Sequence, residues 1–329
     1  MHSNRRTFLT AAAAWSAGLA TTSIHAQQGA MEVLKIVNGF PAGTTPDVVA
    51  RQVGDKLAGQ IARAVVVENR TGAGGQIAVS TVKTAPPDGS SLLLTPMAVM
   101  GVYPFTYKHL PYDPVADFAP VSMAALFDYA IAVGPAVPNK VQTVHDLMSW
   151  YRANPSKANI ASSATGSPLH FVGLMLGRAS GVELSHVGYR GTPPAINDML
   201  GGNMPALCAP LGTFLPLRDA GKLRILATSG PKRSRFTPDV PTLVEEGYKD
   251  MVYTEWYSFF VPAKTPAAVV GKLNSALRPV LLSDDVVKAF ASFGMEAAPS
   301  TPETLSASLQ ENLRIWGPIV KSIGFSADS

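Results

Sequence analysis

The chain has 329 residues, of which 47% are hydrophobic, and Cys208 is its single cysteine. A formal net charge of +4 is too small for the basic surface of a nucleic-acid-binding protein, so no nucleic-acid partner is expected. One cysteine excludes an intramolecular disulfide. Stability must therefore come from a buried hydrophobic core.

The N-terminal segment has the features of an export signal. Arg5 and Arg6 precede an apolar stretch over residues 11–20, and small residues follow it. We predict a signal peptide over residues 1–26 and a periplasmic location. The paired arginines resemble the twin-arginine address of proteins that are exported folded, although an ordinary secretory signal can also hold two arginines. The apolar stretch is shorter than the ~20 residues that span a bilayer.

From residue 34 onward, short apolar runs alternate with helix-length amphipathic segments. This alternation predicts an α/β fold built from βαβ units around a parallel sheet. The predicted mature chain of about 300 residues is longer than one core usually serves, so two domains are expected. We predict domain 1 over residues 27–130 and 253–329, and domain 2 over residues 131–252, with a cleft between two lobes.

The predicted elements of the first domain begin with a strand at 34–37. A helix follows, with Thr45 as its N-cap and Pro46 in its first turn. Gly72 to Gly75 form a turn before a second helix. Further strands are predicted at 65–67 and 92–94.

The second domain repeats this plan, with helices that begin at Ser167 and Thr192. The C-terminal third is helical, and segments 135–138 and 253–260 are the predicted crossings between domains. The strands predicted for the second domain are 159–161, 182–184, 206–207 and 223–226.

The motifs of catalysis are largely missing from the sequence. No histidine pair has the spacing of a helical zinc motif, and no nucleophile elbow is present. Ile77 stands where a dinucleotide-binding loop needs its third glycine. Cys208 has apolar neighbours that would keep it unreactive. We expect no cofactor, no metal and no enzymatic activity, with Ser167 and His170 as the only nearby pair for an alternative exported hydrolase or transferase.

Three polar loops lie where strands lead into helices. A helix N-terminus offers free N–H groups and a partial positive charge, so it can bind a carboxylate without a cationic side chain. Such loops occur at 40–45, 162–167 and 189–192, and Arg190 is the best cationic candidate. Caps and turns of any α/β protein use the same residues, which is the structural alternative. Their shared position at the C-terminal ends of strands favours a binding site.

Several spaced motifs resemble one family, the substrate-binding proteins of tripartite tricarboxylate transporters, also called the Bordetella uptake gene family. The resemblance covers nearly the whole mature chain. It rests on the segments 40–43, 47–51, 66–70, 72–75, 87–89, 189–191, 220–224 and 238–242.

The resemblance implies a two-lobed periplasmic binding protein of type II, with each lobe a sheet flanked by helices. Such a protein closes on a small carboxylate and delivers it to integral membrane transporter subunits, and family members are usually monomers. An orphan receptor with a signalling role is a further alternative. The ligand contacts that it implies are Phe40, Ala42, Gly43, Thr44, Thr45, Met97, Ala98, Ser162, Ser163, Gly166, Ser167, Tyr189, Arg190, Gly191, Thr192, Ala209 and Pro210.

The sequence departs from the family pattern at two positions. Thr44 stands where relatives usually have a second glycine, and Cys208-Ala209-Pro210 replaces a segment that often contains an acid. Loss of that acid removes a partner for a ligand ammonium group. We therefore expect a dicarboxylate with an apolar or aromatic body rather than an amino acid.

Overall fold

The structure is a computed structural model that describes residues 31–327. The predicted signal peptide lies outside the described residues. The strands are β1 (Met31–Asn38), β2 (Ala62–Asn69), β3 (Ser91–Pro96), β4 (Phe118–Val133), β5 (Asn159–Ser162), β6 (Ser185–Gly188), β7 (Ala206–Pro210), β8 (Arg224–Thr228), β9 (Thr254–Pro262) and β10 (Met295–Ala297).

Helices cover the faces of these strands. None of the described helices is both long enough and apolar enough to cross a membrane. The helices are α1 (Thr45–Leu57), α2 (Gln76–Lys83), α3 (Tyr103–Thr106), α4 (Val144–Ala153), α5 (Pro168–Ser180), α6 (Thr192–Leu200), α7 (Leu215–Asp219), α8 (Ala267–Leu281), α9 (Asp284–Ser292) and α10 (Pro302–Ile323).

The first lobe is built on one half of a mixed sheet. Strand β1 lies between β2 and β3 and is parallel to both. Strand β9 runs antiparallel to β3 and to residues 118–128 of β4, and β10 also pairs with β4. All six residues of β3 are buried, as expected for an inner strand whose sheet is covered on both faces.

The second lobe continues the sheet from the same long strand. Residues 129–133 of β4 pair with β7, and residues 130–133 pair with β8, both antiparallel. Strand β5 then lies between β7 and β6 and is parallel to both. Strand β4 is therefore shared by both lobes, and the predicted α/β two-lobed fold is confirmed. The domain boundaries remain predictions; one of them, after residue 130, falls within β4.

Two expectations about the strands were wrong in detail. The strand expected at 182–184 lies at Ser185–Gly188, where half-exposed polar residues pair only with β5 at the edge of the sheet. Residues 253–260, expected to carry the chain back between domains, include most of the buried strand β9, and the crossing itself stays a prediction. Long antiparallel pairs such as β4 and β9 make the sheet mixed rather than parallel.

Candidate functional site

A cavity lies where β4 passes from the first lobe to the second. Its floor comes from β4 and β9, and its walls come from the first turns of helices. The residues that line it are Phe40, Thr44, Thr45, Pro46, Pro96, Ala98, Val99, Tyr103, Phe127, Tyr129, Ser163, Ala164, Ser167, Leu169, Gly191, Thr192, Pro210, Glu255 and Tyr257.

The N-termini of α1, α5 and α6 all reach this cavity. Thr44, Ser167 and Gly191 are their N-cap residues, and each helix has a proline in its first turn. The loops of the two lobes also meet here, because a methyl group added to Gly191 would lie 3.5 Å from Pro41 Cγ. Three helix N-termini therefore place partial positive charge around one small volume.

No N-cap side chain of these three helices accepts a hydrogen bond from a first-turn N–H group. Thr44 Oγ1 donates to Pro41 O at 2.6 Å, and Ser167 Oγ donates to Ala164 O at 2.7 Å. Among the other helices, Thr143 and Thr301 cap α4 and α10 by accepting from the N–H groups of residues 146 and 304, whereas α2, α8 and α9 also have no side-chain cap. Unpaired N–H groups are costly where water is excluded, so the helices at the cavity are suited to an external anion.

Asp47 holds the first loop in place. Its Oδ2 accepts from Gly43 N–H at 2.9 Å and from Arg51 Nε at 3.0 Å, and its Oδ1 accepts from Asn69 Nδ2 at 2.8 Å. Burial alone would raise the pKa of Asp47, but these hydrogen bonds and the charge of the guanidinium outweigh burial and lower it. Asn69 Nδ2 also donates to Phe40 O at 2.9 Å. The carboxylate thus engages the N–H of Gly43 and fixes the loop that precedes α1.

The floor of the cavity is aromatic. Phe127 and Tyr129 are two positions apart on β4, and Glu255 and Tyr257 are two positions apart on β9. Residues at this spacing share a face of a strand, so all four side chains lie on one face of the sheet. Phe127 lies directly opposite Glu255 in the register and stacks on Tyr257 with ring centroids 4.5 Å apart. The floor therefore suits the apolar body of a ligand.

Glu255 is the one acid that lines the cavity among the described residues. It is 3% exposed, and its Oε1 accepts from Ala98 N–H at 2.8 Å. Burial raises the pKa of Glu255 to about 8, although the hydrogen bond from Ala98 opposes the shift. No lysine, arginine or histidine of residues 31–327 lines the cavity with it. At neutral pH the side chain is therefore mainly the neutral carboxylic acid.

Tyr129 brings a second polar group to the floor. Its side chain is 1% exposed, and its hydroxyl has no hydrogen bond partner within the described structure. Buried hydroxyl groups are nearly always paired in native proteins. A ligand or an ordered water is the natural partner for this one.

Two histidines, His170 and His186, contact the loop at residues 162–167. Ser162 Oγ lies 2.8 Å from His186 Nε2, and the rings of His186 and His170 contact each other in a tilted arrangement with centroids 3.7 Å apart. His170 Nδ1 accepts from Gly166 N–H at 3.2 Å. Burial lowers the pKa of His170 to about 4 and that of His186 to about 3, so both rings are neutral and structural at pH 7.

The family of the chain follows from comparison with known proteins. The model of the tripartite tricarboxylate transporter family receptor matches residues 49–325. The chain belongs to this receptor family. The resemblance drawn from the motifs is therefore confirmed, and the fold is that of a solute-binding receptor.

Individual relatives agree with this assignment of the receptor. The protein BugT of Bordetella pertussis is 30% identical over 296 residues, which cover 88% of this chain and 89% of BugT. A structure from R. palustris with adipate is 28% identical with a TM-score of 0.85, covering 90% of this chain and 98% of that one. MatC from Rhodopseudomonas palustris with bound malate is 26% identical with a TM-score of 0.81, covering 88% and 99%.

About half of the contacts implied by the sequence line the cavity of the receptor. That they bind a ligand stays a prediction. The residues that line it are Phe40, Thr44, Thr45, Ala98, Ser163, Ser167, Gly191, Thr192 and Pro210.

The other implied contacts do not line the cavity, and they fall into three groups. Ala42, Gly43 and Arg190 are exposed, so Arg190 does not supply the expected cation to the cavity. Tyr189 turns its hydroxyl toward α6, where it donates to Asp198 Oδ2 at 2.6 Å. The remaining four are buried and do not line the cavity: Met97, Ser162, Gly166 and Ala209.

Glu255, Phe127, Tyr129 and Tyr257 were missed by sequence reasoning. Residues 255, 257 and 259 share one face of β9. An acid at one of these positions in an otherwise apolar strand was the sequence signal that could have indicated a functional residue. The prediction against a ligand ammonium group rested on the missing acid in the segment at Cys208, whereas Glu255 supplies a different acid to the cavity. Cys208 itself is fully buried, and burial raises the pKa of its thiol.

Proposed function

We propose that the receptor works in the periplasm, where it captures a small carboxylate and delivers it to the membrane subunits of a tripartite tricarboxylate transporter. The observation that carries this proposal is the meeting of three helix N-termini, without side-chain caps, at one cavity. Such N-termini bind anions through N–H groups and the helix dipole. The receptor acts as a monomer and needs no cofactor.

The proposed ligand is a dicarboxylate with an apolar or aromatic body. Related proteins have been solved with adipate and with malate, which supports this class. The stacked rings of Phe127 and Tyr257 offer an apolar surface for the part of the ligand between its charged ends. Closure of the lobes would remove water and strengthen the contacts to the anion.

A thermal-shift screen against organic acids, amino acids and sulfonates tests the ligand class. A ligand at 100 times its dissociation constant adds about 2.7 kcal/mol to the unfolding free energy, and this raises the melting temperature. Ser163→Trp would place a large ring in the cavity and remove the shift. Ser149→Trp, at an exposed position on α4, is the matched control and keeps it. No shift with any carboxylate would contradict the proposal.

Export and delivery need tests in cells. A protein isolated from the periplasmic fraction should begin near Gln27, and Arg5→Lys with Arg6→Lys should block export only if the twin-arginine route is used. Deletion of the gene should abolish uptake of the identified ligand and be rescued by the intact gene. Normal uptake after deletion would instead favour the orphan signalling receptor.

An exported hydrolase or transferase is the second candidate function. The expected Ser167–His170 pair is not formed, because Ser167 Oγ donates to Ala164 O and His170 Nδ1 accepts from Gly166 N–H. A serine–histidine hydrogen bond does exist between Ser162 and His186, but Ser162 is fully buried and does not line the cavity. Ligand binding without turnover supports the receptor, and turnover lost in Ser162→Ala would revive the enzyme.

A further inference from the structure

The carboxyl group of Glu255 occupies a position that the proposed ligand must share. It lies on the floor of the cavity, opposite Phe127, while the three helix N-termini approach from the walls. Its Oε1 is engaged by Ala98 N–H, so its Oε2 is the oxygen left to meet a ligand. A bound dicarboxylate would therefore bring a second carboxylate into the same small volume.

No cationic side chain of the described residues lines the cavity to balance a second negative charge beside Glu255. On α3 and β9 the titratable side chains that share the cavity are Tyr103 and Tyr257, and burial raises the pKa of both well above the usual value; Tyr129 on β4 adds an unpartnered hydroxyl. On α1 the charges of Asp47 and Arg51 pair with each other, and Asp128 faces away with Thr254. Two carboxylates that share a site do not both ionise readily, so one keeps a proton.

We propose that Glu255 is a specificity-determining residue that stays protonated and donates a hydrogen bond from Oε2 to a carboxylate of the ligand. This inference rests on the proposed function, because it assumes a carboxylate ligand. Glu255 and the ligand carboxylate then hold one proton between them, which Glu255 already carries at neutral pH. Binding therefore requires no change in protonation. A hydrogen bond to a charged acceptor is worth more than one between neutral groups.

The proposal gives the receptor a defined chemical preference. Glu255 as a donor favours a carboxylate at the floor, whereas an ionised Glu255 would favour an ammonium group there. Glu255→Gln separates the two cases. Glutamine keeps a donor and the shape but cannot carry a negative charge, so it should preserve binding of a carboxylate and weaken binding of an ammonium group. A rise in pH that ionises Glu255 should weaken binding of a carboxylate, whereas it should strengthen binding of an ammonium group.

A measurement without ligand tests the protonation state first. NMR of the side-chain carboxyl carbons of ¹³C-labelled receptor would follow Glu255 through a pH titration, with its signal assigned by its loss in Glu255→Gln. The expected midpoint is near the pKa of about 8. An ionised Glu255 at neutral pH would overturn the proposal, whatever ligand the receptor takes.

Calorimetric titration with adipate and malate then tests the hydrogen bond. Glu255→Gln is expected to bind within about threefold of the wild type, and Glu255→Leu to bind about 10- to 100-fold more weakly. One pH unit above the pKa of about 8, the wild type should bind roughly tenfold more weakly than at neutral pH, and Glu255→Gln should not change.

The outcomes separate the two proposals. Equal losses in Glu255→Gln and Glu255→Leu would overturn the donor role of Glu255 while the receptor still bound carboxylates. If no carboxylate bound the wild type, the proposed function would fail, and the NMR titration would decide the state of Glu255 by itself.

Discussion

The buried acid of the cavity makes a prediction about stability that needs no ligand. The unfolded chain releases the proton of Glu255 near the usual pKa of 4.5, whereas the folded receptor keeps it up to about 8. Between these values the folded state holds one more proton than the unfolded state, so the unfolding free energy falls as the pH rises. At about 1.4 kcal/mol per pKa unit, the whole window corresponds to roughly 5 kcal/mol.

Glu255→Gln removes this contribution, since glutamine does not titrate. Urea unfolding at a series of pH values should show the wild type losing stability relative to Glu255→Gln by up to about 1.4 kcal/mol per pH unit within the window. Glu183→Gln, the same change at an exposed position, should follow the wild-type curve. Parallel curves for the wild type and Glu255→Gln would refute the reasoning, because they would mean that Glu255 is already ionised in the folded protein.

Three further substitutions test the walls and floor of the cavity. Tyr129→Phe removes a hydroxyl without a partner, so the unfolding free energy should change by less than about 1 kcal/mol while calorimetry shows weaker ligand binding. Gly191→Ala should cost about 1–3 kcal/mol in urea unfolding, because Gly191 has a φ of +90°; Gly271→Ala, inside α8 and open on all sides, should stabilise slightly instead. Asp47→Asn should cost about 1.5–3 kcal/mol and speed amide exchange at Gly43, whereas unchanged exchange would show that the carboxylate does not hold the loop.

The loops of the first lobe were largely predictable from sequence. The motif residues Asp47, Arg51 and Asn69 are separated in sequence but form one hydrogen-bonded group that shapes the loop at 40–43. Proline and glycine at the helix starts marked α1 and α6 to within one residue of the expected position. These signals are local, so they survive without knowledge of the tertiary structure.

The floor could not be located in the same way. Glu255 reaches the cavity only because β9 pairs with β4, and the two strands are more than 100 residues apart in sequence. The predicted position of strand β6 was wrong for a related reason. This short strand forms because it pairs with β5, and its sequence has no apolar run that would mark it. The occupation of the Gly43 N–H by Asp47 likewise depends on side-chain geometry that periodicity does not encode.

The shared strand β4 limits how the chain can be divided. Its first part pairs with β9 and its last part pairs with β7 and β8, so neither half of the sheet is complete without the other. A cut after residue 130 would leave β7 and β8 paired with only residues 131–133 of β4, and the weakened, partly unpaired edges would invite aggregation. The two lobes are consequently not interchangeable modules, and exchanging a whole lobe with that of a relative would have to carry β4 along with it.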